Sequence, residues 1–223
     1  MRQLVKDHAF IFDMDGTLFQ TETLAIPAFY RTFDRLVEQG LYSGTFPTEE
    51  QIQSSFGMTT KELWIHLLPD ANEEVRKQAD QWMLEEELHL LQQGKGALYP
   101  GVTSVLHQLN EVGWPLFIAS NGMGAYVRRI VEVHGLRSLF KGIYTAGDYQ
   151  TDAKENLVKI LMTEHHITGG YMVGDRSSDV RAGKKNGLTV IGCKYADFPQ
   201  FGQEMELKEA DVIIESFLDL LKI

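Results

Sequence analysis

The stretch His8-Ala9-Phe10-Ile11-Phe12-Asp13-Met14-Asp15-Gly16-Thr17 decides the fold. Its first half is apolar without alternation, as in a strand covered on both faces of a parallel sheet. Its second half is a polar turn carrying two carboxylates and a glycine, where such a strand must end. Five more short runs read the same way: Leu116–Ala119, Gly142–Ala146, Tyr171–Val173, Thr189–Cys193 and Val212–Ile214. Helical spacing fills the gaps between them. One such segment follows Pro100-Gly101, sets Val102, Val105, Leu106 and Leu109 on one face, and stops at Gly113. Others cover 124–134, 154–166 and 178–186. Alternation of strand and helix from residue 98 onward implies βαβ units, hence an α/β fold with a doubly wound parallel sheet.

The stretch 19–96 breaks that rhythm. Helical patterns over 20–39, 59–68 and 72–92 fill it, with Gly40, Gly44 and Pro47 marking a turn and Gly94-Lys95-Gly96 closing it. Glu85-Glu86-Glu87 reads as a solvated face, Arg31 and Arg35 as water-facing, and Phe56, Trp64 and Trp82 as local core. The expected organisation is an α/β core of residues 1–18 and 97–223 with an α-helical cap, 19–96, inserted at the sheet's carboxyl edge.

Composition narrows the function. The 223 residues carry 31 acidic and 21 basic side chains, a formal net charge of −10. A nucleic-acid polymer calls for a basic face, so that partner is not expected. A small anionic substrate stays compatible, because a metal ion and a lysine reverse the field locally. Cys193 is the only cysteine, which leaves no disulfide and no cysteine-based zinc site. No run approaches the roughly 18 apolar residues of a membrane span, and the opening apolar run meets Asp13 too soon for a signal peptide. The expectation is a cytoplasmic protein without a membrane partner, a monomer or homodimer.

In open α/β sheets ligands bind at the carboxyl ends of the strands. Those ends hold Asp13 and Asp15, then Ser120-Asn121-Gly122, then Gly174-Asp175 followed by Asp179; Lys154 opens the helix before the strand that ends at Gly174. Phosphoryl transfer uses such groups. A carboxylate nucleophile divides one hard displacement into two, and a second carboxyl group protonates the leaving oxygen and later deprotonates water. Carboxylates from two strands suit Mg²⁺. A hydroxyl, backbone N–H groups and an ammonium answer the charge on the moving phosphoryl group.

This arrangement resembles the haloacid dehalogenase superfamily, in its phosphoglycolate phosphatase-like branch with an α-helical cap. Asp13-x-Asp15-Gly16-Thr17 matches the first motif, Ser120 the second, Lys154 the third, and Gly174-Asp175-x-x-x-Asp179 the fourth. Tyr99-Pro100-Gly101-Val102 looks like the family's return from cap to core. The resemblance implies a doubly wound, Rossmann-like core and a Mg²⁺-dependent phosphatase acting on a small phosphorylated metabolite. It implies Asp13 as nucleophile, Asp15 as acid/base, and Ser120, Asn121 and Lys154 as phosphate-binding groups. Mg²⁺ is then held by Asp13, Asp15 (through its carbonyl) and Asp175. Asp179 holds a metal-bound water or orients Lys154. Gly57-Met58-Thr59-Thr60-Lys61 resembles the substrate-specificity loop, with Lys61 the candidate contact. Two positions depart from the pattern: Glu155 stands where proline usually follows the lysine, and Gln20-Thr21 replaces the frequent Asp-Ser.

Other readings are weaker. A β-phosphoglucomutase-like isomerase shares this core, but its hinge histidine is missing from Gln20-Thr21-Glu22-Thr23-Leu24. A dehalogenase lacks the second aspartate, and a non-catalytic module has no need of the whole set. Gly122-Met123-Gly124 hints at a dinucleotide turn, but Val127 occupies the third glycine's place. Asp179 could simply pair with Arg176 or Arg181. His165-His166 and the five other histidines show no metal-ligand spacing. Phosphoglycolate, sugar phosphates, nucleoside monophosphates and pyrophosphate all fit as substrates.

Overall fold

A computed structural model describes residues 7–56, 58, 60–151, 153–195 and 203–223. In chain order the elements are β1 (His8–Phe12), β2 (Phe19–Gln20), α1 (Glu22–Glu38), α2 (Glu49–Ser54), α3 (Thr60–Leu67), α4 (Glu73–Gln92), β3 (Ala97–Leu98), α5 (Val102–Glu111), β4 (Leu116–Ser120), α6 (Gly124–Val133), β5 (Phe140–Thr145), α7 (Ala146–Tyr149), α8 (Lys154–Glu164), β6 (Gly169–Gly174), α9 (Ser177–Lys185), β7 (Thr189–Cys193), α10 (Gln203–Glu206) and β8 (Val212–Ile214). Two compact units result: residues up to Gln20 with Leu98–Ile223, and Thr21–Ala97.

The first unit is built on a six-stranded sheet in the order β5-β4-β1-β6-β7-β8, with neighbouring strands parallel. β1 lies at its centre because both of its faces are buried. Ala9 and Ile11 join Phe117, Ala119, Leu157, Val158, Leu161 and Met172 in one cluster, beneath α8. On the other face Phe10 stacks on Tyr171 and meets Trp114 edge-on, while Phe12 packs against Phe140 and Phe217. Each such aromatic burial contributes about 1.5–3 kcal/mol, which explains the unbroken apolar run. Register then aligns the carboxyl ends: Phe12 pairs with both Ile118 and Val173. β1 is also where the winding reverses, with β4 on one side and β6 on the other. Among the described residues no helix is long and apolar enough to cross a membrane.

The expected strands are all present, with edges of β4, β5 and β6 shifted by one or two residues. Ala146, read as the end of a strand, starts α7 instead, because the Thr145 side chain caps that turn by accepting from the Asp148 N–H at 3.3 Å. β6 begins earlier than its apolar run, at Gly169, through a glycine pair that pattern reading treats as punctuation.

The inserted unit is helical, as expected, and has one helix more than its periodicity suggested. α2 is only six residues long and is closed by a capping box between Thr48 and Gln51. α1 packs along α4. Arg35 lies over the Trp82 ring at 4.6 Å and pairs with Glu85 at 2.8 Å and Glu86 at 3.0 Å; Arg31 reaches Glu86 at 3.6 Å. Arg31 and Arg35 therefore face α4 rather than open water, and Glu86 is half-buried rather than solvated. Trp64 is buried against Phe29 and donates to Asp80.

Gly170 offers a direct test of the central pairing. Its φ is +122°, and a Cβ there would lie 2.0 Å from the Ala9 carbonyl oxygen, a backbone atom of β1 that cannot move aside. Gly170→Ala is expected to cost about 2–4 kcal/mol in urea unfolding. A loss below the scatter of ordinary surface substitutions would contradict the β1–β6 register.

Candidate active site

The site starts where β1 stops. Asp13 N–H still donates to the Val173 carbonyl at 2.9 Å, so the sheet holds its backbone while the carboxylate lies beyond the strand end. The chain then turns sharply: the Met14 carbonyl accepts from Leu18 and Phe19 at 2.9 Å, and Gly16 adopts φ +72°. That glycine is required twice over. Besides its left-handed backbone, a Cβ at Gly16 would sit 2.3 Å from Asp175 Oδ2. Thr17 Oγ1 donates to Asp175 Oδ1 at 3.1 Å, and the Tyr195 hydroxyl donates to the Thr17 carbonyl at 2.6 Å. Asp175 is thereby fixed over the first turn.

Lys154, the first residue of α8, is buried, and its ammonium lies 2.6 Å from Asp179 Oδ1 and 2.8 Å from Asp13 Oδ1. The hydrogen bond goes to Asp179; Asp13 Oδ1 is held as an ion pair outside hydrogen-bond geometry. Asp179 is fully buried, and its second oxygen accepts from the Arg176 N–H at 3.0 Å. Gly174 makes room for it, since a Cβ there would meet Asp179 Cγ at 2.2 Å. Asp179 thus pairs with Lys154 and with the backbone at the start of α9. Glu155, where the family pattern usually has proline, accepts from Lys185 at 2.6 Å, and its carbonyl accepts from Asn186 at 3.0 Å. α8 is tied to α9 by these contacts instead of by a proline turn.

Ser120 closes β4 and is buried; its Oγ accepts from the Gly122 N–H at 3.0 Å, which leaves the hydroxyl proton free to donate outward. Asn121 is exposed beside it. Asp15 is half-buried and accepts from the Tyr126 hydroxyl at 2.7 Å. Tyr126 and Tyr195 were not legible as site residues: each reaches the first turn across more than a hundred positions of chain. Lys61 is exposed at the start of α3 in the helical unit, and its loop neighbours Gly57 and Thr59 lie outside the described residues.

Electrostatics define what this cluster can hold. Burial pushes Asp13 up to about 7, against the pull of Lys154 and with help from Asp179 and Asp15. Burial raises Asp175 well above the carboxylate range, and Asp179 and Asp13 raise it further. Burial disfavours the Lys154 ammonium, but Asp13 and Asp179 outweigh that and raise its pKa. Carboxylate oxygens of Asp13, Asp175 and Asp179 lie within 4.8 Å of one another. Burial thus holds protons on Asp13 and Asp175; with all three carboxyl groups ionised, three negative charges against one ammonium would leave two unbalanced, the charge of one divalent cation. An all-oxygen donor set fits a hard ion such as Mg²⁺. Asp13 and Asp175 are the pair that could ligate it, because Asp179 is committed to Lys154.

A carboxylate-rich cluster at the winding reversal of a parallel sheet is the arrangement of an α/β enzyme. The family model for haloacid dehalogenase-like hydrolases matches residues 10–193. The chain belongs to that family. A phosphoglycolate phosphatase of Vibrio vulnificus is 27% identical to it, over 95% of this chain and 93% of that protein. The pyrophosphatase PpaX of Listeria monocytogenes is 26% identical, over 96% and 94%. The crystal structure of a predicted phosphoglycolate phosphatase from Haemophilus somnus superposes with a TM-score of 0.80 at 20% identity, over 99% of both chains, a likeness of fold.

The raised Asp13 has a consequence for stability. A carboxyl group protonated to about 7 when folded, but only to about 4 when unfolded, stabilises the fold at low pH and loses that contribution as pH rises through the window. In chelator-treated protein, Asp13→Asn is therefore expected to gain in melting temperature relative to the wild-type chain as pH rises from about 4 to about 7. Parallel melting curves for the two would contradict the burial of a charge at Asp13.

Proposed function

We propose that this protein is a Mg²⁺-dependent phosphatase of the phosphoglycolate phosphatase-like kind, hydrolysing a small phosphomonoester through a phospho-aspartyl intermediate on Asp13. The observation that carries the reading is the buried cluster of Asp13, Asp175 and Asp179 around Lys154, beside Asp15; when fully ionised, the cluster is two charges short of neutrality. The similarity to a phosphoglycolate phosphatase and a pyrophosphatase over nearly the whole chain supports the same chemistry. The absence of a histidine between Gln20 and Leu24 speaks against the β-phosphoglucomutase-like alternative.

In this reading Asp13 attacks phosphorus and its carboxylate oxygen forms the new P–O bond. The bond to the leaving oxygen breaks, and Asp15 gives that oxygen a proton. Asp15 then takes a proton from water as the water attacks phosphorus, and phosphate leaves with Asp13 restored. The Ser120 hydroxyl, the Lys154 ammonium and backbone N–H groups near Asp15 and Asn121 bind the phosphoryl oxygens. Lys154 is held for this task by Asp179. Asp13, Asp175 and the Asp15 carbonyl would hold Mg²⁺, which supplies charge neutralisation for the phosphoryl oxygens. The acidic balance and the lack of a membrane-crossing helix among the described residues fit a cytoplasmic enzyme on a metabolite.

Phosphate release from a panel of phosphate esters and pyrophosphate, with Mg²⁺ and with chelator, tests the reading. Release is expected only with the metal, and Asp13→Asn should lower kcat at least about a thousandfold while keeping the far-ultraviolet circular dichroism of the wild-type chain. Near wild-type turnover in Asp13→Asn would remove Asp13 as nucleophile. Undiminished turnover in chelator would remove the metal.

A further inference from the structure

Tyr126 stands three residues into α6 and is buried, with its ring edge-on to Phe19 at 6.5 Å. Its hydroxyl donates to Asp15 Oδ1 at 2.7 Å, bringing β4's following helix onto the turn after β1. Nothing in the phosphate-binding or metal-binding roles calls for a tyrosine here. A phenol hydroxyl buried beside a carboxylate does one definite thing: it makes one oxygen a committed acceptor and fixes the plane of the group. The carbonyl oxygen of a carboxylic acid is its stronger acceptor, so a hydrogen bond to Oδ1 favours the transferable proton on the other oxygen, Oδ2.

We infer that Tyr126 is a positioning residue for leaving-group protonation, holding the Asp15 carboxyl so that Oδ2 presents its proton to the departing oxygen. The inference rests on the proposed role of Asp15 as acid and base. In the step concerned, the Asp13–phosphorus bond forms and the bond from phosphorus to the leaving oxygen breaks. The bonding pair stays on that oxygen, which receives the Oδ2 proton. Tyr126 keeps its own proton throughout. A misaligned Asp15 matters most where the leaving oxygen most needs a proton, in alkyl phosphates, and least for p-nitrophenolate, which departs as a stable anion.

The test is the dependence of kcat/KM on the leaving group, across p-nitrophenyl, phenyl and alkyl phosphates, for the wild-type chain, Tyr126→Phe and Asp15→Asn. The phenylalanine keeps the ring and its contact with Phe19. The slope of the plot is a ratio between substrates, so partial misfolding, which lowers every rate equally, leaves it unchanged. Tyr126→Phe is expected to lose about tenfold on phenyl and alkyl phosphates and less than about twofold on p-nitrophenyl phosphate. Asp15→Asn should steepen the slope further. A steep slope in Asp15→Asn with an unchanged slope in Tyr126→Phe would overturn the inference and leave the role of Asp15 intact. An unchanged slope in Asp15→Asn, whatever Tyr126→Phe does, would overturn that role and the inference with it.

Discussion

Lys154 among Asp13, Asp175 and Asp179 is the interaction on which the rest depends. Each charge alone would be costly to bury, and one ammonium cannot balance three carboxylates. Burial answers the surplus by raising Asp13 and Asp175 toward their protonated forms, and fixed hydrogen bonds hold the groups in place. Asp13 is anchored to Val173, Asp179 to the Arg176 N–H, and Asp175 to Thr17, with Gly16 and Gly174 clearing the space their carboxylates occupy. Such a cluster could hold a divalent cation and, in the proposed reading, meets a phosphoryl group beside it. Stability is given up locally for a field that acts on the substrate.

The same constraint explains which parts of the fold were readable. Asp13 and Asp175 could be picked out because each follows a strand whose two buried faces impose an unbroken apolar run, while Lys154 and Asp179 were carried by the spacing of the motifs. The structure brings these four together, with Ser120 at the adjoining strand end. Gly169 and Gly170 were not readable as strand, because glycines look like breaks until a neighbouring backbone is known to crowd them. Ala146 looked like strand because its apolar side chain carries no trace of the cap at Thr145. α2 was too short for periodicity to register.

Long-range contacts set the deeper limit. Tyr126 reads as one more apolar position on an amphipathic helix, and only the crossing of α6 over the first turn gives its hydroxyl a partner. Arg31 and Arg35 read as solvent-facing because the acidic stripe that meets them lies on α4, some fifty residues away. Spacing along the chain reveals strand ends and helix faces. It does not reveal which of two faces meets which.

The central claim is that phosphate passes through Asp13. It is tested most directly by acid-quenching the Asp15→Asn variant during turnover of p-nitrophenyl phosphate and mapping the peptides by mass. Without its base, the variant should hold the phosphorylated state, so the account predicts a phosphoryl increment on the peptide from the β1 turn, assigned to Asp13 by fragmentation. An increment on any other residue, or phosphate release with Asp13 unmodified at every quench time, would contradict it.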